Sequence, residues 1–252
     1  MCANSLVVSD KALSAKRGYN LRVVETLVAA RILGNSLGLD IGLKDKTTLR
    51  EVVGKLAGKK YGEDMGPDVL EKVLAILEQQ LHVLKPDNTP KDADQLGVTM
   101  DEMVGMSGLS QNIFHEVYLS WVDSESIDTL SDVNLFIPHL TKKIHIPSLF
   151  QVEATYFQLH NRARHVVSEA QRVLQFRRAC LDATRSGTSD GNADSNDFFK
   201  NLSQLMNDSQ ASCALDFECS WPELDVLTEL ARRSGAYGTR LTGTFVYVYI
   251  YH

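Results

Sequence analysis

The chain has 252 residues, of which 44% are hydrophobic and 23% charged. This balance is typical of globular proteins and excludes a wholly disordered chain. The 26 Lys and Arg residues against 32 Asp and Glu leave a formal net charge of −6. Without a basic block, such a chain is a poor nucleic-acid binder, and we expect no nucleic-acid partner.

Membrane and disulfide classes are also disfavoured. No apolar run reaches the roughly 20 residues that span a bilayer, and Met1–Ser5 lacks the basic segment and long apolar core of a signal peptide. The sequence therefore predicts a cytoplasmic protein without a membrane partner. Its cysteines, Cys2, Cys180, Cys213 and Cys219, show no CxxC spacing, so we expect reduced thiols and no metal ligands.

The first predicted elements are a strand and a helix. The apolar run Ser5–Ser9 predicts a buried strand, and the small basic segment from Lys11 to Gly18 predicts a loop. A helix is predicted over 20–33, ending at Gly34, because its apolar residues share one face. Residues 34–66 predict a short helix between loops. The apolar face of the first helix consists of Leu21, Val24, Leu27, Val28 and Ile32.

Two more helices are predicted before a less regular stretch. Pro67 begins a helix with an apolar repeat of three and four residues, and Pro86 lies beyond its end. Thr99 followed by Glu102 has the spacing of a capping box, which predicts the start of a third helix. Residues 105–150 keep no periodicity for more than a turn or two. We interpret them as an irregular insertion.

A long helix is predicted from about Gln151 to Leu181, and another from about Asp197. The apolar stripe of the first of these two helices is expected to be buried, and the arginines of that helix are expected to form a solvated face. The stripe consists of Leu159, Ala163, Val166, Val167, Ala170, Val173 and Leu174. The arginines are Arg162, Arg164, Arg172, Arg177 and Arg178. The helix from Asp197 is expected to bury Phe198, Leu202, Leu205 and Met206.

A last helix and a strand complete the predicted elements. Ser220 is the expected N-cap, Pro222 the early-turn proline and Glu223 the capping-box acid, and Gly235 is the expected stop. Residues 236–242 predict a strand. The whole pattern predicts a mostly helical α+β chain with few strands. The residues alone show no P-loop, GxGxxG or Gly-x-Ser-x-Gly motif, and so specify no activity.

Four segments, in this order, carry a family resemblance: Ala3–Lys11 with Tyr19–Glu25, Asn161–Leu174, Leu205–Cys213, and Glu218–Gly243. They resemble the C-terminal half of fungal galactokinases, which are GHMP small-molecule kinases. The resemblance covers roughly residues 2–104 and 151–243 and is loosest over 34–92. It implies the fold of a GHMP kinase C-terminal domain, mostly helical with a few antiparallel strands and incomplete at both ends.

The resemblance also implies a division of the chain. Residues 1–19 would be the last strand and loop of an N-terminal domain, and 20–243 the C-terminal domain. The family continues LTG with a glycine-rich turn, whereas Phe, Val, Tyr and Ile follow here. We interpret 244–252 as an aberrant tail from intron read-through or a frameshift. Its apolar run, Phe245–Tyr251, would then be an exposed, aggregation-prone segment.

The implied chemistry is transfer of the γ-phosphoryl group of ATP to the C1 hydroxyl of galactose, with Mg²⁺ as the usual metal. Tyr19 aligns with a tyrosine that contacts the sugar, and Ser9, Asp10 and Lys11 with a segment near the nucleotide. A phenol can donate a hydrogen bond to a ring hydroxyl, and a lysine can neutralise phosphate charge. A tyrosine packed at a loop-to-helix junction and a solvated loop lysine are the alternatives.

No catalytic residue is predicted. His165 is interpreted as a structural histidine and Asp208 as a helix-surface residue. The family's sugar-binding motif, serine-rich phosphate loop, and catalytic aspartate and arginine are not matched here. We therefore expect the chain alone to be inactive and marginally folded. Alternatives are a galactose- and ATP-dependent sensor that binds a transcriptional repressor, an N-acetylgalactosamine kinase, and a non-functional gene product.

Overall fold

A computed structural model describes residues 2–4, 17–60, 62–85, 97–120, 152–186, 193–242 and 245–249, with the backbone alone for 2–4, 186, 193–196 and 245–249. These residues are mostly helical, as predicted. The helices are α1 (Tyr19–Ser36), α2 (Leu49–Leu56), α3 (Pro67–Gln80), α4 (Met100–Ser107), α5 (Gln111–Phe114), α6 (Leu159–Ser186), α7 (Ala193–Leu215) and α8 (Pro222–Arg233). The strands are β1 (Cys2–Asn4), β2 (Gly238–Thr242) and β3 (Phe245–Tyr249). The predicted strand at Ser5–Ser9 lies outside the described residues.

The chain divides into two compact units. The helical unit consists of Asp10–Met65 and Gln79–Ala163, and the sheet unit consists of Met1–Ser9, Gly66–Glu78 and Arg164–His252. Within the described residues, no helix combines the length and apolar character needed to span a membrane.

Helix α1 is the centre of the helical unit. Most of its predicted apolar face is buried, with Leu21, Val24, Val28 and Ile32 at most 7% exposed. The helix also buries charged side chains on other faces, which amphipathic periodicity did not predict. One of these is Arg31, whose guanidinium donates to the carbonyl oxygens of Ser107 and Gly42 at 3.2 and 3.0 Å.

The predicted capping box at the start of α4 is confirmed. The Glu102 carboxylate accepts the Thr99 backbone N–H at 2.7 Å, and the Thr99 hydroxyl accepts the Glu102 N–H at 3.3 Å. The Thr99 backbone N–H, together with the Thr99 hydroxyl that donates to the same carboxylate at 2.9 Å, lowers the pKa of Glu102. A second capping box, formed by Thr48 and Glu51, begins α2. These two residues have the same three-residue spacing in the sequence as Thr99 and Glu102. Both helices therefore begin where side chains satisfy backbone donors that the first turn leaves free.

The described part of the predicted insertion is helical rather than irregular. Helix α5 continues into a π-helical turn over His115–Leu119. Phe114, Val117 and Tyr118 are buried there, and the rings of Phe114 and Tyr118 lie 5.1 Å apart. Apolar residues three and four positions apart form one face of a short helix. Residues 121–150 lie outside the described part.

The predicted start of the long helix at Gln151 is too early. Phe157 instead pairs with Val98 in an antiparallel bridge, with N–H to carbonyl distances of 2.7 and 2.9 Å in the two directions. Gly97 allows this approach, because a Cβ atom there would lie 2.3 Å from the Phe157 carbonyl oxygen. Helix α6 therefore begins only at Leu159.

The strands form one antiparallel sheet in the order β1-β3-β2. Ala3 pairs with Val246 on one side of β3, and Arg240 pairs with Tyr247 on the other. The backbone of Phe245–Tyr249 is thus paired on both sides. Its β-branched and aromatic residues supply the central strand of the sheet, and the predicted exposure of the segment concerns side chains that lie outside the described part.

Helix α7 packs a polar face where an apolar face was predicted. Phe198, Leu202, Leu205 and Met206 are only partly buried. The buried residues are instead mostly small or polar: Ser203, Ser209, Gln210, Ser212 and Cys213. Strand β2 explains the difference, because Gly238 approaches so closely that a Cβ atom there would lie 2.7 Å from the Ser203 Cα. Large side chains have no room between this helix and the strand.

Helix α8 begins one residue later than the predicted cap implies. Trp221 occupies the N-cap position, while Ser220 donates its hydroxyl proton to the Asp225 carboxylate at 2.7 Å. Pro222 is the first helical residue, as predicted. The helix ends before Gly235, which has a φ of 99°. This left-handed conformation favours glycine and terminates the helix.

Candidate functional site

Of the predicted site residues, the structure describes Tyr19 alone, since Ser9, Asp10 and Lys11 lie outside its described part. Tyr19 is the first residue of α1 and is 73% exposed. Its ring is therefore not packed at the junction between loop and helix. An exposed phenol on a helix of 18 residues is accessible to a ligand and held on a rigid element.

A buried charge network lies beneath the first turns of α1. Glu25 is fully buried, and one of its carboxylate oxygens accepts from Arg162 Nε at 2.7 Å and from Arg22 Nη1 at 3.2 Å. The other oxygen accepts the backbone N–H of Gln158 at 2.7 Å. The charge-assisted hydrogen bonds of this carboxylate are therefore buried, and such bonds are strong where water is excluded.

The network corrects the prediction that Arg162 lies on a solvated face. Arg162 is 1% exposed and is the largest fully buried side chain among the described residues. Charge patterning assigned all the α6 arginines to water, because an arginine is rarely buried without a partner. The partner, Glu25, lies 137 residues away in sequence. A usable signal existed, since Glu25 and Arg162 each lie within a segment that carries the family resemblance.

The position of Tyr19 depends on this network. Arg22 lies three residues after Tyr19, one turn along the same helix, and its guanidinium is tied to Glu25. Because Glu25 also binds α6 through Arg162, the start of α1 is fixed to the start of α6. The first turn of α1, which carries the exposed phenol of Tyr19, is thus held in place by buried ion pairs.

The sheet unit contains a separate pocket of about 530 Å³. Helix α6 contributes one wall, helix α7 a second and strand β2 a third. The polar lining includes Glu169, Arg172 and Ser209, and the apolar lining includes Val173 and Phe176. Glu169 accepts from Arg172 Nε at 2.8 Å and from the Ser209 hydroxyl at 2.9 Å. None of these residues is a site residue predicted from the sequence.

His165 is structural in the fold, as predicted. Its Nδ1 lies 3.0 Å from the Ser212 hydroxyl, and its ring stacks on Phe217 with the centroids 4.6 Å apart. Since Ser212 donates its own proton to Asp216, the histidine Nδ1 acts as the donor to Ser212. Burial lowers the pKa of His165, which favours the neutral ring. Asp208 is exposed and accepts from Gln204 at 2.7 Å.

The segment Leu205–Cys213 has a clear structural role. Asn207 and Gln210 project from α7 to β2, where their side-chain oxygens accept the backbone N–H groups of Thr239 at 3.0 Å and Leu241 at 2.6 Å. These N–H groups alternate along the strand edge that faces away from β3. Within the described part of the chain, the amide side chains thus satisfy an edge of β2 that no strand pairs with.

The cysteines form no metal centre in the described part of the chain. Cys180, Cys213 and Cys219 form no disulfide there. A hydrogen bond with the Cys219 side chain and burial both raise the pKa of Cys213, so this thiol is protonated and a poor ligand. Across the described ranges, no group of three His, Cys, Asp or Glu side chains could hold a metal ion.

The amino-acid sequence is similar to those of known proteins along nearly its whole length. A galactokinase of Saccharomyces cerevisiae is 32% identical over 255 aligned positions that include 96% of this chain. A galactokinase of Dictyostelium discoideum is 30% identical over 95% of the chain. The chain is related to galactokinases.

The relationship to galactokinases extends beyond eukaryotes. A galactokinase of a Roseiflexus species is 41% identical over 86 residues, 34% of this chain. The chain spans about 40% of the length of the Saccharomyces and Dictyostelium galactokinases. No protein-family model matches the chain.

Proposed function

We propose that this chain supplies the C-terminal, GHMP-type part of a galactokinase, which phosphorylates galactose at its C1 hydroxyl with ATP. The observation that carries the proposal is similarity to galactokinases along 95–96% of the chain. The segments that first indicated the family also account for observed contacts. Glu25 and Arg162 form the buried network, and Asn207 and Gln210 complete the edge of β2.

Tyr19 is the proposed sugar contact. Its exposed phenol can donate a hydrogen bond to a hydroxyl of galactose, and its ring offers an apolar surface to the pyranose. Phosphoryl transfer depends on positioning more than on covalent chemistry. The network of Glu25 with Arg22 and Arg162 would therefore act as a positioning element, because it fixes the turn that carries Tyr19.

ATP and Mg²⁺ are proposed as the second substrate and its metal. Ser9, Asp10 and Lys11 are the proposed nucleotide contacts, with Lys11 neutralising phosphate charge. Bound to ATP, Mg²⁺ would neutralise charge that develops on the phosphates. The described residues provide no cluster of ligands for it, and we assign it no ligand among them.

The first experiment assays the purified chain with galactose, ATP and Mg²⁺, and we expect no turnover. The second joins the chain to the part of the Saccharomyces galactokinase that it does not match, and we expect galactose-dependent formation of ADP. A folded, ATP-binding fusion that leaves galactose unphosphorylated would contradict the proposal. Preference of the fusion for N-acetylgalactosamine would reassign the substrate.

Tyr19 provides a sharper test within the active fusion. Tyr19→Phe removes the phenol hydroxyl and keeps the ring, so we expect KM for galactose to rise about three- to tenfold, the worth of one neutral hydrogen bond. The matched control is Tyr156→Phe, at an exposed tyrosine of the same unit, which should leave KM unchanged. Equal KM values in both variants would remove Tyr19 from the sugar site.

A further inference from the structure

We propose that the pocket of the sheet unit binds a small amphipathic carboxylate, with its aliphatic chain between α6 and α7 and its head group at Arg177. Neither Tyr19 nor the proposed nucleotide contacts, Ser9, Asp10 and Lys11, are among the residues that line this pocket. The inference does not depend on the proposed function, because it concerns residues that have no role there.

The pocket follows one face of α6. Glu169, Arg172, Val173, Phe176 and Arg177 all line it, and their spacing of three and four residues places them on a single helical stripe. With a rise of 1.5 Å per residue, the stripe extends about 12 Å from Glu169 to Arg177. The volume of about 530 Å³ falls within the range of small-molecule sites.

The middle of the pocket is apolar. Val173 and Phe176 face it from α6, and Leu205 and Met206 face it from α7. Val173 is 63% exposed, although its place in the stripe predicts burial. An aliphatic chain would bury this surface, and the hydrophobic effect favours that burial. A sugar would leave most of its hydroxyl groups without hydrogen-bond partners against this apolar lining.

The end near Glu169 is already satisfied. The Glu169 carboxylate accepts from Arg172 at 2.8 Å and from Ser209 at 2.9 Å, and Arg240 Nη2 lies 3.7 Å from it. Arg172 donates also to the Ser168 hydroxyl at 2.8 Å. Because these donors already satisfy the Glu169 carboxylate, it has no strong attraction for a cation.

The opposite end supplies the charge that selects the ligand. The lining contains three guanidinium groups, on Arg172, Arg177 and Arg240, and one carboxylate, so the site carries an excess of positive charge. Arg177 is exposed, and among the described residues its guanidinium has no hydrogen-bond or ion-pair partner. A carboxylate can bind a guanidinium through two parallel hydrogen bonds. The combination of an apolar middle and this cationic end fits a fatty-acid-like anion.

The experiment titrates decanoate into the full chain and follows the methyl resonances of ¹³C-labelled methionines. We expect a saturable shift of the Met206 resonance, which Met206→Leu identifies by its loss. Two control ligands test the contributions of the aliphatic chain and of the head-group charge separately. Acetate keeps the head group without the chain, and decyltrimethylammonium keeps the chain with the opposite charge. Neither should shift the Met206 resonance at concentrations where decanoate saturates it.

The decisive variant is Arg177→Glu, which reverses the charge at the proposed head-group site. We expect its affinity for decanoate to fall about tenfold or more, the scale of a lost charge-assisted pair. Arg185→Glu makes the same change on the same helix, at a residue outside the pocket lining whose guanidinium lies 4.0 Å from the Asp182 carboxylate. This control should bind decanoate like the parent chain.

Three results would overturn the proposal. They are the absence of a Met206 shift with decanoate, equal binding of the cationic amphiphile, and equal weakening in Arg177→Glu and Arg185→Glu. Circular dichroism establishes that each variant keeps its helical content. Both changes lie at exposed positions of α6, so the comparison does not depend on removing a buried side chain.

Discussion

Glu25 illustrates how a charged residue can belong to a core. Its carboxylate is fully buried, but it accepts bonds from Arg162, Arg22 and the Gln158 backbone. Such a network is costly to assemble and far more costly to break, because removing one partner leaves a buried charge uncompensated. Glu25, Arg22 and Arg162 therefore stabilise the start of α1 only when all of them are present.

Replacing Arg162 tests this requirement. Arg162→Met removes the guanidinium and keeps much of its apolar volume, so we expect the free energy of unfolding to fall by about 3–5 kcal/mol. Urea denaturation followed by circular dichroism measures it. The control is Arg178→Met on the same helix, whose ion pair with Glu71 is exposed and is worth about 1 kcal/mol or less. Similar losses in both variants would show that Arg162 is not a buried ion partner.

His165 predicts a pH dependence of stability. Burial is the main cause that lowers its pKa below 6.5, with Arg172 adding to the effect and Glu169 and Asp216 opposing it. The unfolded chain therefore binds a proton before the folded chain as the pH falls. The contribution to stability is complete above about pH 6.5 and is lost as the pH decreases toward the folded pKa.

The measurement compares the parent chain with His165→Asn, which cannot titrate. Between pH 7.5 and 5.5, both within the range where this histidine changes charge, the parent should lose more free energy of unfolding than the variant. Parallel pH profiles would show that the buried ring does not resist protonation.

At the scale of elements, the seam between α7 and β2 depends on fit rather than on apolar area. Amide side chains of Asn207 and Gln210 satisfy the outer edge of β2, while Gly238 lets the strand approach Ser203. An edge strand with open N–H groups is a template for aggregation. This seam blocks that edge with side chains from a helix.

Gly238→Ala should break the seam. The new Cβ atom would lie 2.7 Å from the Cα and the carbonyl oxygen of Ser203, and backbone atoms cannot swing aside as a side chain can. We expect a loss of about 1–3 kcal/mol in the free energy of unfolding. The control, Gly105→Ala in α4, meets no atom within 4 Å and should stabilise by about 0.5–1 kcal/mol. Destabilisation by both changes would point to a general intolerance of alanine.

Across the molecule, the features that the sequence predicts correctly depend on local patterns. The capping box at Thr99, the start of α3 at Pro67 and the end of α8 before Gly235 each depend on residues a few positions apart. Features that depend on distant contacts were not predicted. The burial of Arg162 depends on Glu25, and the late start of α6 depends on Val98 pairing with Phe157.

The candidate site divides in the same way. Tyr19 could be singled out because a motif surrounds it, whereas the pocket of the sheet unit brings together α6, α7 and β2 from across 169–242. Its members look like ordinary core or surface residues in sequence. Val173 fits an apolar stripe and is nevertheless exposed. Hydrophobic periodicity predicts which face of a helix is apolar, but it does not predict which residues pack against that face.

The final strand can be tested by truncation. Ending the chain after Thr242 removes β3, which pairs with β1 on one side and β2 on the other. We expect a loss of at least about 2 kcal/mol in the free energy of unfolding, since central pairing is removed from both neighbours. Truncation after Tyr249 keeps the strand and is the control. Unchanged stability after the longer truncation would show that the family-like residues alone make the sheet unit stable.

The bond between Glu25 and Arg162 has a consequence for synthesis on the ribosome. The two residues are 137 positions apart, which at 5–20 residues per second corresponds to roughly 7–27 seconds of translation. Throughout that interval the nascent α1 carries a carboxylate whose principal cationic partner does not yet exist. We therefore expect the helix to stay hydrated on this face until late, leaving a period in which chaperones can bind its neighbouring apolar residues.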